Sequence, residues 1–203
     1  MVAKGDRMQI KMRVAAIKPS RSKGYLVLTL SDGDEISRYT LREEEYSIIG
    51  SPLRGAELSF DALSSLTLYD EGYRARIFAL RSLSLTDSSE RALARKLAMR
   101  GIRPTVVEEV VREMVSLGYI NESDQLYRLA LYAANHDLYG PRRIMAKLTS
   151  KGFSSADIRR TLNLLIDVGS VDFKRNSTLL LEKKLTRVAS SEEKKKLLYK
   201  YGY

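Results

Sequence analysis

The chain has 203 residues, of which 44 % are hydrophobic and 30 % charged, with no cysteine and a formal net charge of +10. The missing cysteines exclude a disulfide framework and any cysteine-based zinc site, and fit a reducing compartment. The opening MVAKGDRMQIKMR has no leader-like apolar stretch and no run approaches the ~20 apolar residues of a membrane helix, so a cytoplasmic protein is expected.

The charge is unevenly spread. Residues 1–70 hold ten Lys/Arg and ten Asp/Glu, so the whole excess of ten positive charges lies in residues 71–203. Such a balance fits a polyanionic partner, or a protein that already carries one, and it equally fits plain solubility.

In chain order, MQIKMRVAAI (8–17) places Met8, Ile10, Met12 and Val14 at a period of two, which predicts a strand. The stretch YLVLTLSDGDEISRYTL (25–41) carries apolar runs on both sides of Asp32-Gly33, a hairpin signal, and PSRSKG (19–24) is the other turn. A small antiparallel element of two or three strands follows from this. Residues 41–60 are transitional, broken by Gly50-Ser51-Pro52 and Gly55. From Asp61 onward the pattern is helical. Pro104 and Pro141 fall at helix starts, where a missing N–H costs nothing. Ser89 and Ser155 are the expected N-caps of the helices that follow them. Gly101, Gly118, Gly152 and Gly169 stand where C-terminal glycines belong.

The phrase KLAMRGI (96–102) returns as KLTSKGF (147–153), 51 positions later. The same shift, without a gap, aligns Leu93 with Ile144, Lys96 with Lys147, Leu97 with Leu148 and Gly101 with Gly152. It goes on to align Val107 with Ile158, Val111 with Leu162, Met114 with Leu165, Gly118 with Gly169 and Ile120 with Val171. Val107, Val110, Val111 and Met114 keep the spacing of one buried helical face. The unit of about fifty residues, with three short helices, is therefore duplicated. A third copy begins in KKKLLYKYGY (194–203), where Leu198 and Gly202 lie 50 positions after Leu148 and Gly152, and it stops where its last helix would start.

The fold class expected is mainly α: tandem three-helix repeats forming an elongated curved body, with a small N-terminal antiparallel β element. The division expected is a β region over 1–60, a first repeat over 61–122, a second over 123–173 and a truncated third over 174–203.

Two segments in the first repeat, SERALARKLAMRGI (89–102) and VVEEVVREMVSLGYINE (106–122), resemble the first repeat of the RecX family, regulators of the RecA recombinase. YGPRRIMAKLTSKGF (139–153) and DIRRTLNLLID (157–167) resemble its second, so that the similarity covers residues 73–203. The chain departs from the family pattern at Ser88, often Arg there, and in lacking an aromatic after Gly169. The resemblance implies a helical protein without catalytic activity or cofactor that lies in the groove of the RecA–single-stranded DNA filament. It would hinder filament growth and lower ATP hydrolysis, strand exchange and co-protease activity, with or without direct contact to the DNA, and work as a monomer.

The residues put forward for partner or DNA contact are basic. They are Arg91, Arg95, Lys96 and Arg100 in the first repeat, Arg142, Arg143, Lys147 and Lys151 in the second, and Arg21 and Lys23 in the first turn. A solvated helix face, with Lys and Arg favoured near the helix C-terminus, accounts for the eight helical ones as well. Tyr25, Tyr39 and Tyr46 are placed to stack on bases or to pack on the sheet. The lone His136 has no histidine or cysteine companion for a metal, and a capping or surface role is expected. The run EEKKKLLYK (192–200) reads as a charged helix end.

Two other classes compete. A helix-turn-helix DNA reader would put VVEEVVREMVSL (106–117) in the major groove, yet that helix carries three Glu and one Arg, where recognition helices favour Arg, Lys, Asn or Gln. A metal-dependent nuclease would need a carboxylate cluster, and the spacing of acidic residues suggests none.

Overall fold

A computed structural model describes residues 12–33, 35–185 and 190–203, so the strand expected over 8–17 is described from Met12 on. Its three strands are β1 (Arg13–Pro19), β2 (Tyr25–Asp32) and β3 (Glu35–Arg42), in an antiparallel sheet of order β1-β2-β3. The hairpin turn sits where the Asp32-Gly33 signal puts it, with Asp32 paired to Glu35. Leu28 and Leu30, two residues apart on β2, share one face and are fully buried with Val14 of β1 and Leu41 of β3. Each such side chain contributes about 1.5–3 kcal/mol of burial.

The free edge of β1 is covered. Val14 donates its N–H to Ala56 and accepts from Gly55, Leu58 donates to Met12, and Arg13 pairs with Glu57 at 2.6 Å. At this end of β1 the ladder groups that would otherwise attract a foreign strand are thereby occupied.

In the stretch read as transitional, a six-residue helix forms instead, α1 (Glu43–Ile48). Three glutamates in its first turn suit the positive end of the helix dipole, and the Glu45 carboxylate accepts the Arg42 N–H at 2.7 Å. Six residues are too few for a helical period to stand out.

The remaining described helices are α2 (Phe60–Leu85), α3 (Glu90–Ala98), α4 (Pro104–Ser116), α5 (Glu122–Asn135), α6 (Pro141–Ser150), α7 (Ser155–Asp167), α8 (Phe173–Lys184) and α9 (Ser191–Tyr201). Pro104 and Pro141 are first residues, as expected, and Ser89 caps α3 by accepting the Ala92 N–H. The cap of α7 is Ser154 rather than the expected Ser155. Ser154 has the extended backbone of a cap and accepts the Asp157 N–H at 3.1 Å, which leaves Ser155 as the first helical residue.

The chain forms two compact units, one made of the chain up to Phe78 with Ile102–Val110, the other of Ala79–Gly101 with Val111–Tyr203. In the first, the sheet core packs on Leu66 of α2, and Tyr39 and Tyr46 lie against it. Three ion pairs tie its helices. Arg76, 4 % exposed, reaches Glu109 at 2.7 Å and Glu45 at 3.9 Å. The buried Glu71 accepts both the backbone N–H and the Nε–H of Arg103 at 2.6 Å, which caps the start of α4 from another helix.

The second unit holds residues 123–203 and part of the expected first repeat, whose residues 61–78 and 102–110 fall in the first unit. Leu126, Ala130 and Ala134 of α5, Ile144 and Leu148 of α6, and Ile158, Leu162 and Leu165 of α7 make one core. The aligned pairs Leu93/Ile144, Leu97/Leu148, Met114/Leu165 and Ile120/Val171 are all buried, so the 51-residue shift is a structural repeat. Helices α8 and α9 are the first two helices of the third copy.

The joint between successive copies is built twice in the same way. Gly152, at φ +100°, lies so close to the start of α3 that a Cβ there would come within 2.5 Å of the Ser89 hydroxyl and 3.3 Å of the Ala92 nitrogen. Ser89 donates to the Lys151 carbonyl at 2.8 Å. Gly202, at φ +90°, meets the start of α6 likewise, where a Cβ would collide with the Arg143 backbone nitrogen. There Gly140 donates to the Tyr201 carbonyl at 2.7 Å and Arg142 to the Gly202 carbonyl at 3.2 Å. Ser89 and Gly140 are 51 positions apart, as are Ala92 and Arg143. Glycine is required at the two sites for its left-handed φ and for its missing side chain together.

Candidate functional site

The ten basic candidates divide by what their side chains already hold. On α3, Arg91 and Arg95 are exposed and Arg95 lies two residues from both Leu93 and Leu97, hence on the face opposite the core. Lys96 turns inward, where its ammonium donates to the hydroxyls of Ser82 and Ser88, both at 2.9 Å. The serine at position 88, where the family often has Arg, thus serves as acceptor for a lysine of the next helix. Arg100 is exposed just beyond α3.

In the second repeat the basic side chains meet tyrosines. Arg143 donates to the Lys200 carbonyl at 2.6 Å, with its guanidinium 4.4 Å from the Tyr139 ring centre and 5.5 Å from that of Tyr201. Arg142 donates to the Tyr203 carbonyl and lies 5.1 Å from the Tyr199 ring centre. Lys147 pairs with Asp137 at 2.9 Å and lies 5.0 Å from the Tyr139 ring. These cation–ring contacts add to the ion pair and hydrogen bonds that fasten α9 and the end of α5 to α6. Lys147 holds Asp137 below the ordinary carboxylate range: burial pushes its carboxyl up, and the hydrogen bonds and charges of Lys147 and His136 outweigh that. Lys151 is exposed.

Arg21 and Lys23 are exposed in the β1–β2 turn of the other unit. Beside them Ser22 hydrogen-bonds the Tyr73 hydroxyl at 3.1 Å and the Tyr25 ring leans on that of Tyr73. His136 follows α5, stacked on Tyr132 at 4.4 Å and within 3.2 Å of Asp137. Among the described residues no group of three histidine or acidic side chains is arranged to hold a metal ion.

Two grooves in the second unit lie outside the basic candidates, apart from Arg142. One, of about 700 Å³, is lined by Glu90, Val115, Glu122, Asp157, Arg160 and Leu164 among others. Glu122 accepts the Glu90 N–H at 2.7 Å. Burial raises its carboxyl above the ordinary value, and the carboxylates of Glu90 and Asp157 add to the effect. The other, of about 440 Å³, is lined by Arg142, Met145, Arg159, Leu162, Ile166 and Phe173 among others. The sequence held one signal for them, the exposed apolar pairs Val115/Ile166 and Leu117/Val168, each 51 positions apart at the ends of α4 and α7.

No family model matches the chain. A regulatory protein RecX of Caldanaerobacter subterraneus subsp. tengcongensis is 26 % identical over 188 residues, 92 % of this chain and 91 % of that protein. One of Pseudomonas syringae pv. tomato is 37 % identical over 70 residues, 34 % of this chain, so the match spans less than half, 44 %, of that relative's length. A crystal structure of regulatory protein RecX has the same fold, with a TM-score of 0.70 over 95 % of this chain and 94 % of that one at 19 % identity. A mainly helical chain with a three-stranded sheet ahead of 51-residue repeats is thus similar nearly end to end to one regulatory protein RecX and shares the fold of another.

Proposed function

We propose that this protein is a non-enzymatic regulator that binds the groove of the RecA–single-stranded DNA filament and lowers its ATP hydrolysis, strand exchange and co-protease activity, and so modulates DNA repair and recombination. The observation that carries the reading, beside the likeness to RecX proteins, is the repeated module with its twice-built joint. A polymer of identical protomers presents the same surface at a fixed spacing. Modules fastened to one another engage it with raised effective concentration. The relatives' own name, regulatory protein, is consistent with a role without catalysis.

Contact falls to the cations left exposed, Arg91, Arg95 and Lys151, with Arg21 and Lys23 of the other unit as a further set. Arg142 and Arg143 hold successive modules together, Lys96 and Lys147 brace their own, and all four contribute positive potential from there. The cytoplasm is the site of action and a monomer the working form.

The test follows RecA's ATP hydrolysis on single-stranded DNA as the protein is added. Inhibition at amounts well below RecA, weakened about tenfold by the pair Arg95→Glu and Lys151→Glu, is the expected result. Inhibition only at amounts that saturate the DNA would mean competition for DNA and favour a DNA-binding module. No inhibition would sink the reading.

A further inference from the structure

Helix α7 is a ridge with a groove on each side, and the repeat relates the two grooves. Glu90, Val115 and Glu122 line the upstream one, while Pro141, Ile166 and Phe173, 51 positions later, line the downstream one. The same place in successive modules therefore carries two different chemistries. Upstream, the carboxylates of Glu90, Glu122 and Asp157 face a single guanidinium, Arg160, which Asp157 already pairs at 3.0 Å. Downstream, the lining contains no Asp or Glu. Met145, Leu162, Ile166 and Phe173 supply apolar surface, with Arg142 and Arg159 beside it.

The two downstream cations differ. Arg142 is held in place by the Tyr203 carbonyl and the Tyr199 ring, whereas Arg159 is exposed and has no ion-pair partner among the described residues. A cation without an internal partner beside an apolar concavity favours a ligand that brings a negative charge and an apolar group together.

We propose that the downstream groove seats a protein segment that places an aromatic or large aliphatic side chain next to a carboxylate. The inference rests on the filament reading, so the segment belongs to a protomer of the filament. A nucleic-acid strand would satisfy the two arginines with phosphates but leave the aliphatic lining of Met145, Leu162 and Ile166 without a partner. The upstream groove repels such a segment through its three carboxylates. Each molecule therefore anchors an acidic apolar segment once, although its modules repeat.

The experiment places a benzophenone amino acid at Asn163, in the downstream groove, or at Thr161, in the upstream one, of the full chain. Irradiation with RecA–single-stranded DNA filaments is followed by mass spectrometry, with ATP hydrolysis recorded alongside. The expected result is a protein crosslink from position 163 to a RecA segment holding an acidic and a large apolar residue, with position 161 not reaching that segment. Arg159→Glu should cut the crosslink about tenfold and raise the half-inhibitory concentration by a similar factor, with an unchanged melting temperature. Intact inhibition with no protein crosslink at 163, with crosslinks to DNA there, or with Arg159→Glu indistinguishable from the parent would overturn the inference and leave the filament reading standing. Absence of inhibition by the unmodified protein would remove both.

Discussion

Glu71 shows how one side chain can set a pH dependence. Burial raises its carboxyl, but the Arg103 backbone N–H, guanidinium hydrogen bond and charge, helped by Arg74, bring it below its ordinary value of 4.5. A group depressed in the folded state stabilises the protein above its unfolded value, and that contribution is lost as pH falls through the folded one. Urea denaturation at pH 7 should therefore show Glu71→Gln clearly less stable than the parent, and at pH 3 the gap should narrow. An equal gap at both values would mean that Glu71 acts by shape alone. Gly152 offers a second test at this scale. Gly152→Ala should cost about 1–3 kcal/mol more than Gly101→Ala, because both have positive φ but only Gly152 faces Ser89 and Ala92. Denaturation midpoints of the two variants measure the difference.

At the scale of elements, α9 is held by its C-terminal end. Gly140 has an ordinary φ of −77°, so an alanine there strains nothing locally, yet its Cβ would come within 2.5 Å of the Gly202 carbonyl group. Gly140→Ala should undock α9 and free Arg142 and Arg143 from the Tyr203 and Lys200 carbonyls. Hydrogen exchange should then quicken in residues 191–201 and stay slow in the α5–α7 core; unchanged exchange in α9 would mean that the ring contacts suffice to hold it. The run EEKKKLLYK marks this helix in the sequence, but not its seat. The seat depends on which backbone atoms approach within contact distance, and composition does not report that. The same limit explains Lys96 and Lys147, which align perfectly in the repeat yet hold different partners, serine hydroxyls in one case and a carboxylate in the other.

For the whole molecule the governing quantity is charge. All ten excess positive charges lie beyond residue 70, and of the eight helical candidates Arg91, Arg95, Arg100 and Lys151 are exposed. Binding to the filament should weaken steeply with salt, since exposed cations are screened beyond about 8 Å at physiological ionic strength. A titration of inhibition between 50 and 300 mM salt measures this. A flat response would shift the weight of binding from the exposed cations to apolar contacts such as the downstream groove.

The sequence by itself determined the elements and their repetition. Period-two alternation in 8–17, the hairpin signal at Asp32-Gly33, helical spacing beyond 60 and the gapless 51-residue shift are properties of neighbouring residues and of copies, and both are written in order along the chain. It also carried the resemblance to RecX proteins, through Leu, Lys/Arg and Gly at fixed helical positions. Only the tertiary structure decided which cations are spent inside, where the copies touch, and that two equivalent grooves differ in charge. Each of these depends on side chains brought together from separate helices, as Glu90, Glu122 and Asp157 are around the upstream groove, and folding alone makes them neighbours.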